Sequence, residues 1–365
     1  MSFAPMKVGV IGCGMISDWY FKAAQRFKQM EIVCCGDLNA EAARKQGEAY
    51  GLPVRTPDEI YGDPAIELIL NLTPPKAHYA VSKRALENGK HVYSEKPMSV
   101  NLADARELMK LAADRGLRIC SAPDTFLGGG PQTARKLIDD GWIGRPFAGT
   151  AIFMSRGPEK WPHAPAFYDL GAGPMLDYAP YFVSQLINLF GPAKYVTASV
   201  TKATESRVGG PETVPHIFPV NVPTFQSGII EFASGVQITM IGSFDSYKHT
   251  HPSIEIYGTE GTLTMHNPNY FGGSVKIFRR GYEAWQEMPP AFDYNTDARS
   301  IGVADMIESI RLGRKGRVSG EMALHALEIM LSFERASNEK RRIELETTCE
   351  RPAPMTVVSE DGKLE

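Results

Sequence analysis

Lys7-Val-Gly-Val-Ile-Gly-Cys-Gly-Met-Ile-Ser17 carries an apolar run straight into a glycine turn. Lys7–Ile11 is short and rich in β-branched residues, which predicts a buried strand. Gly12, Cys13, Gly14, Met15, Ile16 and Ser17 then open a helical pattern that continues to Gln29. In a strand–turn–helix unit of this kind the first glycine permits the tight turn. The second lets the backbone approach a diphosphate, and the helix N-terminus meets that anion with its unpaired amides. Ser17 stands in the third position, small enough for close helix–strand packing. By itself the hexad also fits an ordinary glycine turn.

Asp37 strengthens the nucleotide reading. It lies 20 residues past Ser17, at the end of the second apolar run, where a carboxylate accepts hydrogen bonds from the adenosine ribose hydroxyls. Leu38, Asn39 and Ala40 follow it and supply no arginine for a 2′-phosphate, which favours NAD over NADP. The alternative for Asp37 is a turn or helix-cap aspartate.

Outward from this unit, Glu31–Gly36, Leu68–Leu72, His91–Ser94 and Leu117–Ser121 read as strands. They alternate with helical patterns at Ala40–Tyr50, Lys76–Asn88 and Leu102–Arg115. Such alternation predicts a doubly wound parallel sheet, an α/β NAD-binding domain over residues 1–124. The pattern then changes. A helix at Gln132–Asp140 precedes a strand at Phe147–Phe153, a proline- and aromatic-rich stretch, and a helix at Tyr181–Phe190. Closely spaced strands follow between Tyr195 and Arg279, broken by Ala233-Ser234-Gly235 and Thr259-Glu260-Gly261. These predict an α+β domain with a large, mostly antiparallel sheet over residues 125–346, closed by helices near Thr296–Leu312 and Gly320–Asn338. Residues 347–365 show no periodicity and read as a tail.

Composition narrows the function classes. The 365 residues carry 39 Lys+Arg against 42 Asp+Glu, and 43% are apolar. A balanced charge, with no basic block beyond short clusters such as Arg311–Arg317, argues against a nucleic-acid partner. No apolar run approaches the roughly 20 residues of a membrane span, and no signal peptide is read at the N-terminus, so a cytoplasmic protein is expected. The five cysteines have no metal or disulfide spacing. No metal is expected, because hydride transfer to nicotinamide requires none.

Three further motifs complete the pattern: Asn71-Leu72-Thr73-Pro74-Pro75 with His78; Glu95-Lys96-Pro97; and Leu170-Gly-Ala-Gly-Pro-Met-Leu-Asp177. Together with the glycine turn they resemble the glucose–fructose oxidoreductase/inositol dehydrogenase/MocA family, from Lys7 to about Ile343. The resemblance implies that Lys96 is the active-site lysine, with Glu95 and Pro97 on the nicotinamide side and Pro97 in a cis bond. Leu72–Pro75 and His78 would join the cofactor site, although His78 also reads as a helix residue that only packs. Many members have Asp-x-Gly-x-His in the second domain, whereas here Asp177-Tyr178-Ala179-Pro180-Tyr181 places a tyrosine at the histidine position. Some branches share that tyrosine. A phenol near pKa 10 is a poor base at neutral pH, so Lys96 is expected to lower Tyr181 and make it the acid/base, with Asp177 holding substrate or Lys96. Asp124, Thr125, Trp161, His163 and Tyr168 are candidates for the substrate mouth.

The expected function is NAD-dependent hydride transfer from a sugar or polyol hydroxyl. Oxidation of aldose C1 to a lactone is favoured, a pentose such as apiose being one substrate. Inositol or anhydrosugar dehydrogenation, an NAD-dependent glycosidase and an NAD-sensing regulator are the alternatives. A homo-oligomer, dimer or tetramer, is expected.

Overall fold

The computed structural model describes residues 4–210, 216–357 and 362–364. Its first sheet holds β1 (Met6–Ile11), β2 (Met30–Gly36), β3 (Leu68–Asn71), β4 (His91–Ser94) and β5 (Ile119–Ser121). They run parallel in the order β2-β1-β3-β4-β5. Helices α1 (Ser17–Ala24), α2 (Ala40–Tyr50), α3 (Pro57–Gly62), α4 (His78–Glu87) and α5 (Leu102–Asp114) connect them. Local chemistry sets their ends. Asn39 caps α2 by accepting from the amides of Glu41 and Ala42, and Gly51 closes it in the left-handed region. The unforeseen α3 rests on a Thr56/Glu59 capping box with proline at its first position.

Register decides where the site forms. Ile11 pairs with Gly36 and with Asn71, Asn71 with Ser94, and Ser94 with Ser121. All five strands therefore end level, and the residues that follow lie along one edge. Between β1 and β3 the strand order reverses, which opens the crevice where open α/β sheets bind ligands.

The second half adds α6 (Gly129–Asp139), β6 (Pro146–Met154), α7 (Gly173–Asp177), α8 (Ala179–Phe190) and β7 (Ala193–Thr201). After β8 (Ser206–Gly209) and β9 (His216–Pro219) come β10 (Phe225–Phe232), β11 (Gln237–Ser243), β12 (Ile254–Gly258), β13 (Gly261–Met265), β14 (Val275–Arg279) and β15 (Gln286–Met288). The chain then forms α9 (Ile301–Leu312), α10 (Gly320–Glu339) and β16 (Ile343–Glu344). Nine strands make one sheet in the order β15-β14-β13-β12-β6-β11-β10-β7-β16, while β8 and β9 pair separately. Every neighbouring pair in the large sheet is antiparallel except β6–β11. Val196, Ile230, Ile238 and Met240 on the strands are buried, as are Phe182, Leu186 and Ile187 of α8 and Phe333 of α10. Each such side chain stabilises the fold by roughly 1.5–3 kcal/mol. A Cβ on Gly228 would lie 2.9 Å from the Phe333 ring, so α10 sits directly on β10.

Two late segments tie the halves together. Ahead of α9, Ser300 Oγ donates to the Tyr20 carbonyl at 3.2 Å, and Gly302 N–H donates to Asp124 at 2.9 Å, so α9 returns to the first sheet. The tail read as patternless is an ordered strap in its described part. Thr347 N–H donates to Glu328 at 2.7 Å, the Pro352 carbonyl accepts from Arg135 at 2.7 Å, and Met355 N–H donates to Gln132 at 3.0 Å. Farther on, the Gly362 carbonyl accepts from Gln29 at 3.2 Å and that of Lys363 from Tyr294 at 2.6 Å. Its partners are side chains on distant elements, so its sequence has no period to read. Among the described residues no helix is long and apolar enough to cross a membrane.

Candidate active site

Gly12 sits at φ +105°, and a Cβ there would lie 2.5 Å from the Leu72 carbonyl carbon. Only glycine lets the turn after β1 pass the end of β3. Gly14 differs, because a Cβ there would meet nothing within 4 Å of the protein. Protein packing leaves that position open, as a cradle for an approaching diphosphate would require. Ser17, fully buried, donates to the Gly14 carbonyl at 2.7 Å. Ile16, the N-cap of α1, supplies no side-chain hydrogen bond, which leaves amides for an anion. Asp37 accepts from Cys13 N–H at 2.7 Å and from Asn39 N–H at 2.8 Å. The helix-cap alternative falls to Asn39 instead. Leu38 and Met15 flank this carboxylate and the glycine turn as exposed apolar side chains.

At the end of β4, Lys96 Nζ donates to the Asp177 carbonyl at 2.5 Å and to its carboxylate at 2.8 Å. The ammonium lies 5.2 Å from the centre of the Tyr181 ring. Asp177 ends α7, Tyr178 breaks the helix, and Pro180 lies in the first turn of α8. That break aims two consecutive helices so that both Asp177 and Tyr181 face one lysine. Burial opposes the charge on Lys96, but Asp177, Tyr181 and Glu95 together outweigh it and hold the ammonium above its ordinary value. Tyr181 departs from the expectation. Burial pushes its phenol up, and the opposing pull of Lys96 and Arg299 does not reverse this. A cation lowers a phenol only where desolvation is weaker than the attraction.

The supporting residues follow the strand edge. Glu95 takes the Tyr20 hydroxyl at 2.7 Å and the Lys96 amide at 3.0 Å, and the Lys96–Pro97 bond is cis. His78 is fully buried with Nδ1 2.7 Å from the Pro97 carbonyl and Nε2 2.7 Å from that of Thr73. Its ring therefore presents no surface to a cofactor and instead joins the loops after β3 and β4. Asn71, buried beneath, orders the first of these by accepting from Thr73 N–H at 3.2 Å and Oγ1 at 2.6 Å. Leu72 is buried behind Gly12, while Pro74 and Pro75 are exposed on the loop.

The residues expected at the mouth divide differently. Asp124 is buried against the Gly302 amide; burial pushes its carboxyl up to about 7, with the amide and Arg299 pulling it down. Thr125 is buried beside it. Tyr168 is fully buried and donates to the Arg156 carbonyl at 2.8 Å beneath the Arg207 guanidinium, so it supports the aromatic loop instead of lining a mouth. Trp161 is half exposed and packs edge-on against Phe167 at 5.5 Å, and His163 is exposed. Neither contributes to the polar contacts of Lys96, Asp177 or Tyr181 among the described residues.

Sequence reading did not foresee several neighbours. Arg299, over the Trp19 ring at 5.7 Å and 2.5 Å from Asp297, adds a second cation to the field at Tyr181. Asn267 donates to the Tyr178 hydroxyl at 2.7 Å. Lys76 pairs with Asp169 at 2.5 Å, joining the loop after β3 to the second domain. None lies in a motif. Chain crossings more than 80 residues apart bring them in.

Residues 6–122 match the family model described as "Oxidoreductase family, NAD-binding Rossmann fold", and residues 132–264 match the GFO/IDH/MocA C-terminal domain. The chain belongs to the Gfo/Idh/MocA oxidoreductase family. Among family relatives, inositol 2-dehydrogenase of Rhizobium meliloti (strain 1021) is 25% identical, covering 93% of this chain and 99% of its own. The scyllo-inositol 2-dehydrogenase (NADP(+)) of Bacillus subtilis (strain 168) is 26% identical over 79% of this chain and 82% of its own. The aldose-aldose oxidoreductase of Caulobacter crescentus shares the fold, with a TM-score of 0.78 at 20% identity over 93% of this chain and 100% of that one. As a Gfo/Idh/MocA member the protein is an NAD(P)-dependent oxidoreductase with a Rossmann domain.

Proposed function

We propose that this protein is an NAD-dependent dehydrogenase that oxidises a hydroxyl of a sugar or polyol, the anomeric hydroxyl of an aldose in first place. The observation that carries the reading is Lys96, held by two oxygens of Asp177 beside Tyr181 on the same strand edge as the glycine turn and Asp37. An ammonium has three N–H donors. Two are engaged by Asp177, which leaves one for a substrate oxygen.

Gly12–Ile16 and the start of α1 would hold the diphosphate, and Asp37 the adenosine ribose hydroxyls. Leu38 and Met15 offer apolar flanks for the adenine, while Leu72–Pro75 and Glu95–Pro97 line the nicotinamide side. The negative Asp37 repels a 2′-phosphate, which supports NAD over NADP. When bound, the nicotinamide supplies the hydride acceptor. Lys96 stabilises the alkoxide oxygen as the hydroxyl ionises, and Tyr181 exchanges the proton. Because burial keeps Tyr181 protonated, it donates at neutral pH and accepts only as a phenolate. Oxidation therefore gains with rising pH, past the ordinary phenol value of about 10, while reduction of the carbonyl product does not need alkali. A cyclitol ring hydroxyl is the second reading, favoured by the full-length match to an inositol dehydrogenase.

The deciding test follows NADH absorbance over aldoses, cyclitols and anhydrosugars, with NAD and NADP in parallel. A signal with NAD in one group is expected, and Asp37→Ala should weaken NAD binding and narrow its advantage over NADP. Silence across the panel from a chain that still binds NAD would overturn the dehydrogenase reading.

A further inference from the structure

Arg299 belongs to no motif, yet the chain gives it a fixed place against the first domain. It stands just ahead of α9, and its guanidinium lies over the ring of Trp19, in the first turn of α1, at 5.7 Å. Three contacts bind the segment around it to that domain. Arg26 Nη1 donates to the Asp297 carbonyl at 3.1 Å, Ser300 Oγ to the Tyr20 carbonyl at 3.2 Å, and Gly302 N–H to Asp124 at 2.9 Å. Ser300 is fully buried and sits in the left-handed region at φ +92°. A residue other than glycine keeps that conformation only where its surroundings impose it, and such positions cluster at ligand clamps and active sites.

The charge balance of the glycine turn gives this placement a use. Gly12–Ser17 contain no charged side chain, and the acids Asp18 and Asp37 lie beside them. Lys22, the cation of α1, is paired with Asp18 at 2.6 Å. The amides at the start of α1 suit a diphosphate, but the turn and α1 offer it no unpaired cation. Arg299 brings one over α1 from the second half of the chain. Asp297 engages its Nη1 at 2.5 Å and Asn269 Oδ1 lies 3.5 Å from its Nη2, which leaves part of the five-donor fork open. The side chain is 16% exposed, so a bound molecule can reach it. Tyr181, Glu95 and Tyr20 share its electrostatic field, which puts it at the nicotinamide end of the crevice.

We infer that Arg299 binds the diphosphate of the cofactor, at the phosphate nearer the nicotinamide, and so closes the glycine turn with a group from the second half of the chain. A guanidinium fork matches phosphate oxygens through paired, charge-assisted hydrogen bonds. Arg299 thereby joins the cofactor site of the proposed function, on which this assignment rests, and takes no part in choosing the substrate.

The test is a calorimetric titration of the full chain with NAD, ADP-ribose and AMP at constant ionic strength. ADP-ribose carries both phosphates without the nicotinamide, and AMP carries only the phosphate on the adenosine side. Arg299→Gln should weaken NAD and ADP-ribose about tenfold, the worth of one hydrogen bond to a charged group, and leave AMP unchanged. Arg299→Lys should recover part of the loss, because the charge survives and the fork does not. Equal affinity for ADP-ribose in Arg299→Gln and the natural chain overturns the inference and leaves the cofactor reading intact. A loss that AMP shares also overturns it, since the turn itself would then be disturbed. A natural chain that bound none of the three would bring down the cofactor reading and this assignment together. Should Arg299→Gln fail to fold, Asp297→Asn decides. Freeing Arg299 from its carboxylate should tighten ADP-ribose about threefold with AMP unchanged, and no gain overturns the inference.

Discussion

Two cations, Arg207 in the second half of the protein and Lys96 at the edge of the first sheet, are balanced to different degrees. Arg207 donates to the carbonyls of Arg156 and Phe244 at 3.1 and 2.6 Å, to Glu159 at 2.8 Å and to Asp245, and it covers the Tyr168 ring. Both of its terminal nitrogens are committed to this chain, and their effect is to pin the aromatic loop and β8 to the end of β11. Lys96 is less deeply placed, 13% exposed against 2% for Arg207, and Asp177 engages two of its three donors. A cation met by two carboxylates, as Arg207 is by Glu159 and Asp245, specifies structure even with its Nε–H left without a partner. Lys96 meets a single carboxylate and stands beside a phenol, the arrangement the proposed chemistry uses.

Removing the two cations should therefore have different consequences. Lys96→Met is expected to lower turnover by roughly 10²–10⁴ with NAD affinity retained, measured by steady-state kinetics and NAD titration. Tyr181→Phe should fall in the same range and abolish the alkaline rise in oxidation; a pH profile still climbing would assign the proton to another group. Arg207→Met should instead lower stability by about 3 kcal/mol, because the nearly buried Asp245 loses its cation while Glu159 keeps Arg156. Denaturant melts would show this, and turnover per folded molecule should change little. If Arg207→Met lost turnover without losing stability, the distinction between the clusters would fail.

Smaller effects sharpen the contrast. Asp124 has a carboxyl raised to about 7 by burial, against about 3.9 in an unfolded chain. Between those values the folded state keeps a proton that the unfolded state releases, so this group's contribution falls as pH rises through the window and is constant above it. Asp124→Asn should flatten that part of the curve of melting temperature against pH. Tyr168→Phe removes one hydrogen bond to the Arg156 carbonyl and should cost about 1 kcal/mol, with KM for substrate unchanged. A large rise in KM would return Tyr168 to the mouth.

How much was legible depended on the range of the interactions. The Rossmann strands, α2 with Asn39 and Gly51, and the glycine turn follow from neighbours within a few residues, so period and capping chemistry announce them. Lys96, Asp177 and Tyr181 were legible through motif resemblance, and the chain brings them together. Their protonation was not legible, since burial opposes the pull of Lys96 on Tyr181 and a motif carries no measure of burial. Tyr168 and His78 looked like site residues by type and position; depth turned both inward. The strap left no trace because its partners lie on remote elements, and Arg299 because Trp19 and Tyr181, the rings it faces, do.

The sequence alone therefore determined the parallel Rossmann sheet, the edge at which its strands end level and the types of residue gathered there. These rest on local backbone preference and on periodicities that survive in one dimension. Tertiary structure decided that α9 returns to the first sheet, how many carboxylates meet each cation, and which carboxyls and phenols burial raises. Desolvation and hydrogen-bond completion depend on what the folded chain packs around each group.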